Sequence, residues 1–166
     1  MKDIATRLHN QKNQWLANQV EGGYPTKESL KGRDLYLAAI SSCYLEPFDV
    51  PVVVESQTEW HLVDFHRLTI MFSLLHSKRW DNDEHQQLIV EFLTQIIVEP
   101  NHELYVGFQN GEPVAAAMLT RDQQVTLVSD VAIDGVCDDT KLTEIVASLI
   151  QSAEIATNSQ VWLEKR

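Results

Sequence analysis

The pair Asn110-Gly111, set between two alternating runs, constrains this chain more than any other feature. Both central residues of a type I′ turn need positive φ, which asparagine and glycine reach at least cost, so the pair predicts a tight hairpin. Before it, Leu104, Val106 and Phe108 alternate with Tyr105, Gly107 and Gln109; after it, Val114–Thr120 returns as an apolar run of mostly small residues. Arg121-Asp122-Gln123 reads as the next turn and Val125–Ile133 as a third, longer strand. The period of two begins at Glu103 and gives way at Lys141 to a helical period. There Leu142, Ile145, Val146, Leu149, Ile150 and Ala153 share one face. Gln160–Leu163 closes as a short strand. A chain patterned this way is α/β, with a mostly antiparallel sheet and helices on its faces.

Upstream the pattern is helical. Ile4, Leu8 and Trp15 recur at roughly helical spacing, and Gly22-Gly23-Tyr24-Pro25 breaks the segment. Thr26 is placed to cap a second helix, with Glu28 in its first turn. Gly32 is expected to interrupt that helix before Leu35–Leu45, and Pro47 to end it. Val50-Pro51-Val52-Val53-Val54-Glu55 is rich in β-branched residues and predicts a strand. Leu62, Phe65, Leu68, Phe72 and Leu75 predict a half-buried helix. After Trp80-Asp81-Asn82-Asp83, with Asn82 or Asp83 as cap, Leu88, Phe92 and Ile96 lie beside Ile89, Leu93 and Ile97 on a further helix that Pro100 stops.

Composition narrows the function classes. Of 166 residues, 44% are hydrophobic and 22% charged, which is globular material in one domain's length. Thirteen basic residues against 24 acidic ones leave a formal net charge of −11, whose field repels nucleic acid and anionic membrane surfaces. The start, Met1-Lys2-Asp3-Ile4, runs into polar residues and lacks the apolar core of a signal peptide, and no apolar run approaches a membrane span. A cytoplasmic protein is the expectation. Two cysteines, Cys43 and Cys137, form no disulfide framework and read as reduced thiols. The histidines make no HxxxH or HExxH pair, so no metal is expected.

From residue 50 to 163 the order of strand, two helices, three antiparallel strands, helix and strand resembles the GNAT acetyltransferase superfamily. The run Glu103–Leu119, an apolar strand, an Asn-Gly turn and a strand of small residues, is similar to that family's second and third strands. Val125–Ile133 is similar to the long fourth strand that leads into the cofactor loop. The resemblance implies a GNAT-like domain over 49–166, carrying residues 1–48 as an N-terminal helical extension packed on the core. It also implies acetyl-CoA as cofactor and transfer of its acetyl group to an amine.

On that resemblance, Asp130 and Glu103 are candidates to draw the proton from the acceptor amine. Tyr105, beside Glu103, could line an acceptor site. The backbone of Val131, Ala132 and Ile133 would hydrogen-bond the pantetheine arm, which needs a fourth and fifth strand that splay apart. Gly135 and Lys141 are the remaining cofactor candidates. Asp130 also has a plain alternative, a solvent-facing strand residue opposite a polar neighbour.

The chain departs from the family in two places. The family's loop carries Gln/Arg-x-x-Gly-x-Gly/Ala, whose backbone N–H groups cradle the CoA pyrophosphate. Here the loop is Asp134-Gly-Val-Cys-Asp-Asp-Thr-Lys141, with one glycine, no arginine, and Asp138 and Asp139 where phosphates would dock. Each carboxylate–phosphate contact near 4 Å costs about 4 kcal/mol at an effective dielectric of 20. The family's last helix and strand pair is also missing, which leaves an edge at Gln160–Leu163 for residues 1–48 or a second copy, as a homodimer, to cover.

Two functions compete. One is a divergent N-acetyltransferase acting on a small amine or a protein lysine, which the acidic surface would attract. The other is a GNAT-like or chaperone-like module that binds a ligand or protein and has lost CoA.

Overall fold

The computed structural model describes residues 1–22 and 24–166; Gly23, half of the expected glycine break, lies outside the described residues. In chain order the elements are α1 (Lys2–Asn18), α2 (Lys27–Ile40), β1 (Tyr44–Pro47), β2 (Glu59–Leu62), α3 (His66–Ser77) and α4 (Asp83–Leu93). The hairpin β3 (His102–Gln109) and β4 (Glu112–Arg121) follows, then β5 (Val125–Ile133), α5 (Asp139–Ser152) and β6 (Gln160–Lys165). All these strands join one sheet in the order β1-β6-β5-β4-β3-β2. Neighbours run antiparallel except β5 and β6, which are parallel. This is the mixed, mostly antiparallel GNAT-like α/β architecture that the resemblance implies.

The hairpin forms where Asn110 and Gly111 place it. Both have positive φ, 52° and 79°, and β3 and β4 pair from His102↔Thr120 to Gln109↔Glu112. Alternation along the strands then sorts side chains between two layers. Leu104, Val106, Ala116 and Met118 pack on one face beneath Tyr36 of α2, Phe72 of α3 and Phe92 of α4. On the same face α1 sets Ala5 and Leu8 over Val125, Leu127 and Trp162. The opposite face presents Tyr105, Ala117, Leu119, Val128, Val161 and Leu163 to Ile145, Val146 and Leu149 of α5. Each such aliphatic side chain contributes roughly 1.5–3 kcal/mol when fully buried.

Several sequence expectations are corrected. Val50–Glu55 forms no strand: Pro51 cannot donate to a ladder, and Val52 stands fully exposed, so the outer strand is β2 instead. Leu62 belongs to β2 and Phe65 to the α3 N-cap, so α3 starts later than its spacing predicts. The α4 helix stops at Leu93, leaving Ile97 exposed. The α2 helix ends at Ile40, and Tyr44–Pro47 is strand rather than helix.

Gly32 does not interrupt α2. It lies within the helix where α2 crosses α4, and a Cβ there would overlap the Leu88 carbonyl oxygen and approach Phe92 Cβ to 2.8 Å. The caps read from sequence are in place: Thr26 accepts from Ser29 N–H at 3.0 Å, and Asn82 from His85 N–H at 2.8 Å.

The edge left at Gln160–Leu163 is covered from within the chain. β1 pairs antiparallel with β6 from Tyr44↔Lys165 to Pro47↔Trp162, and Phe48 N–H continues the contact to Val161 O at 2.8 Å. Residues 44–47 thus supply the strand beside β6. With it, the reason for expecting a second copy at that edge is gone.

The two glycines separate turn strain from packing. Gly111→Ala meets no atom within 4 Å but must hold positive φ, and it should cost about 1–2 kcal/mol. Gly32→Ala keeps an ordinary helical backbone but pushes α2 off α4, and overpacking of this kind costs about 1–3 kcal/mol or more. Urea unfolding of both variants should rank Gly32→Ala as the more damaging; the reverse order would contradict the α2–α4 contact.

Candidate functional site

A bulge in β5 builds the site. Across the β4–β5 ladder Ala116 pairs with Ala132 and Met118 with Ser129, so Ala117 alone faces both Asp130 and Val131. Asp130 takes φ +55°, a left-handed conformation that aspartate tolerates better than most residues. Strict alternation after Leu127 and Ser129 would send Asp130 to the α5 face. The extra residue turns its carboxylate to the α1–α2–α3 side and sets Val131 and Ile133 back against the α5 cluster.

Three helices converge on that carboxylate. Lys12 Nζ of α1 lies 2.9 Å from Asp130 Oδ2, Tyr36 of α2 donates its hydroxyl to Oδ1 at 2.7 Å, and His76 Nε2 of α3 lies 3.1 Å from Oδ1. Ser129 Oγ donates to Oδ2 at 2.8 Å. Lys12 Nζ also donates to the Tyr36 hydroxyl at 2.8 Å and to Glu164 Oε2 of β6 at 3.2 Å. The same Glu164 oxygen lies 2.6 Å from His9 Nε2. Lys12 and His76 are 0% exposed, Asp130 and Tyr36 1%, so this is an interior network rather than a surface cleft. The solvent-facing alternative for Asp130 is therefore corrected.

The electrostatics follow from burial and pairing. Burial alone would push the Asp130 carboxyl up, but Lys12, His76 and Arg79 outweigh it and hold the group well below the usual carboxylate range. Glu164 is likewise held down by Lys12 and His9 against burial and the Asp130 charge. Burial, then the Asp130 and Glu164 charges, raises Tyr36 well above its ordinary value, keeping it a hydroxyl donor. Burial pushes His76 down to about 4, so it is neutral at physiological pH. An ionised carboxylate ringed by donors and sealed from solvent is a poor proton acceptor. The arrangement is suited to fixing α1, α2 and α3 on the sheet.

The strands on either side of this point diverge. β5 and β6 pair from Val125↔Gln160 to Val128↔Leu163 and no further, although β5 runs on to Ile133 and β6 to Lys165. Val131, Ala132 and Ile133 therefore lack a β6 partner, as the pantetheine reading requires. At the mouth of the divergence, however, Glu164 Oε1 already accepts the Asp130 N–H at 3.2 Å.

The loop that the resemblance assigns to the cofactor's phosphates is occupied in the same manner. Gly135 makes the turn after β5 with φ +82°, and Asp138 caps α5, accepting Lys141 N–H at 2.8 Å. Lys141 Nζ points back to Val136 O at 3.4 Å. The adjoining groove, about 590 Å³, sets the carboxylates of Glu55, Asp138 and Glu144 against the single ammonium of Lys141. These residues do not fit a pyrophosphate: one glycine opens the backbone, and the helix N-terminus already holds an anion of its own.

Glu103 stands apart from Asp130. It lies on the α5 face, bound by Arg121 Nε at 2.6 Å and Nη2 at 2.8 Å, and it accepts the Tyr105 hydroxyl at 2.7 Å. Burial, reinforced by Glu103, pushes Tyr105 up to about 12. The two candidate bases thus sit on opposite faces of the sheet and share no site. Lys12, Tyr36, His76 and Glu164 escaped the sequence reading. One signal was available: Lys12 falls four residues after Leu8 and four before Leu16, squarely on the buried stripe of α1.

No family model matches the chain, and no curated protein matches it. Among solved structures it is similar to a functionally unknown conserved protein from Staphylococcus epidermidis, at 14% identity and TM-score 0.50, covering 79% of this chain and 55% of that one. It is also similar to a GCN5-related N-acetyltransferase from Kribbella flavida, at 16% identity and TM-score 0.47, covering 79% of this chain and 53% of that one. The chain spans about half the length of the structures it matches. Likeness at this identity concerns the fold alone.

The network makes two measurable demands. Lys12→Met leaves Asp130 and Glu164 buried without their shared cation and should cost about 3–5 kcal/mol, read from urea unfolding. Adding Glu164→Gln should recover part of that loss, and simple additivity would contradict a shared cation. The second demand concerns pH. Between 6.5 and about 4 the unfolded chain protonates His76 while the folded chain refuses, so stability falls as pH falls, by about 3 kcal/mol across the window. Asp130 and Glu164, held below their unfolded values, lose their contribution only at lower pH, in the same direction. His76→Gln should flatten the upper window and spare the lower; an unchanged slope would rule out His76 as its source.

Proposed function

We propose that this protein is a GNAT-like binding module that does not use acetyl-CoA. One observation carries the reading: the chain's own carboxylates take a backbone donor at each of the two points that the resemblance assigns to the cofactor. Glu164 takes the Asp130 N–H where β5 and β6 part, and Asp138 takes the first-turn N–H of α5. A CoA molecule would have to displace Glu164 from a buried network and bring phosphates against Asp138 and Glu144 in the acidic groove. Asp130, ionised and saturated, offers no base for an acceptor amine.

The acetyltransferase reading retains one supporting feature. The edge of β5 from Val131 to Ile133 has no β6 partner, which is where an extended arm would add.

Calorimetry and thermal shift with CoA and with acetyl-CoA separate the two. The binding-module reading expects no saturable heat and no rise in melting temperature at millimolar ligand. A ligand at 100 times its Kd would stabilise the fold by about 2.7 kcal/mol, which such a scan detects readily. Saturable binding that weakens in Gly135→Pro and strengthens in Asp138→Gly would overturn the proposal and restore the enzyme.

A further inference from the structure

The sheet ends at β2, and that edge is open. Val63 donates its N–H to Leu104 O at 2.8 Å, one step beyond the Leu62↔Tyr105 pair. Residues of an antiparallel ladder alternate between bonding inward and facing out. Glu59, His61 and Val63 therefore turn their backbone groups to β3, and Trp60 and Leu62 turn theirs away from it. Among the described residues no strand lies beyond β2, and none takes the outward N–H or C=O of Trp60 or Leu62. The segment from Glu59 to Asp64 carries no proline or lysine, the residues that commonly guard such an edge.

A cavity adjoins each end of this edge. One, of about 310 Å³, is lined by Glu59 and His61 of β2 with Phe65, Leu68 and Phe108. The His61 ring stands edge-on to Phe108 at 5.3 Å. The other, of about 280 Å³, is lined by Leu62, Val63 and Asp64 with Val98, Glu99 and Leu104. Leu62 is 48% exposed and Phe65 54%, large apolar side chains left uncovered along one line. An added strand beside Glu59–Asp64 spans about 20 Å and passes both cavities, so its side chains have places to go.

Charge selects the occupant. Glu59 and Asp64 are exposed and, among the described residues, have no cation within 4 Å. Glu99 faces only His102, at 3.8 Å, and burial lowers that imidazole's proton affinity. Arg67, the nearest lysine or arginine along the chain, lines neither cavity. A second copy of the chain would bring the same carboxylates to the edge, together with its own formal charge of −11. A segment that alternates apolar side chains with lysine or arginine meets the backbone groups, the cavities and the carboxylates together.

We propose that the outer edge of β2 receives an extended basic segment of a partner protein, which adds a seventh strand to the six-stranded sheet. The site goes beyond the binding-module reading and does not depend on it, since it shares no residue with the places assigned to CoA.

The test is an NMR titration of the full chain with a synthetic peptide of about nine residues alternating valine and lysine, long enough to cover the edge. Hydrogen exchange at the Trp60 and Leu62 amides should slow about tenfold or more at saturation, while His61, already bonded to β3, stays as it was. The same peptide with glutamate for lysine, or with every backbone nitrogen methylated, should bind at least about tenfold more weakly. Leu62→Pro removes an outward donor and should do the same. If that variant fails to fold, Glu59→Lys with Asp64→Lys leaves the ladder intact and should weaken the lysine peptide while favouring the glutamate one. Glu84→Lys with Asp83→Lys, an equal charge change on exposed α4, should have a smaller effect. No binding at millimolar peptide, binding that leaves Trp60 and Leu62 exchange unaltered, or equal affinity for the two peptides would overturn the proposal. So would a concentration-dependent dimer that slows the same amides, which gives the edge to a second copy. Each of these results leaves the CoA question where calorimetry puts it.

Discussion

The buried Asp130 carboxylate is the point on which this structure turns. A single extra residue in β5 rotates it from the α5 face to the other, where Lys12, Tyr36 and His76 meet it from three helices. An ion in that position is costly unless every lone pair is served. The requirement fixes α1, α2 and α3 relative to the sheet more sharply than apolar packing, which tolerates sliding. Glu164 extends the same logic to β6, taking the Asp130 N–H and sharing Lys12, so the parallel pair is tied where its ladder stops.

How much of this was legible in the sequence depended on how local the signal was. The hairpin at Asn110-Gly111, the existence of strands β3 to β5 and the amphipathic α5 rest on neighbours in the chain, and they stand as read. The strand expected at Val50–Glu55 failed because β-branched content says nothing about whether a partner edge is within reach. The edge of β3 is taken by Glu59–Leu62, whose own composition is unremarkable. Gly32 was read as a break because a glycine that admits a second helix and one that ends a helix look alike in one dimension. The ion network was invisible for a related reason: its members lie in α1, α2, α3, β5 and β6, and only Lys12, a charge on an apolar stripe, betrayed itself locally.

The same geometry separates scaffold from activity. The order of elements is GNAT-like, including the parallel pair that parts at its end. One backbone donor at that parting, the Asp130 N–H, is nevertheless answered by a side chain of this chain, Glu164. Where a fold is kept while its exposed donors acquire internal acceptors, shape ceases to be evidence for ligand. Charge then becomes the better guide, and around the start of α5 it is acidic.

The pairing of β1 with β6 bears on the order in which the molecule can be made. Tyr44 leaves the ribosome early, yet its ladder partner is Lys165, and Lys12 waits in the same way for Glu164. The hairpin and α5 can close as they emerge, but the N-terminal helices cannot settle until the last strand arrives. Until then Lys12 remains on an apolar helix face without its anions, and the outer edge of β5 stays open to any strand nearby. A nascent chain stalled short of β6 therefore leaves α1, β1 and the outer edge of β5 without their partners at once, the form most exposed to mispairing.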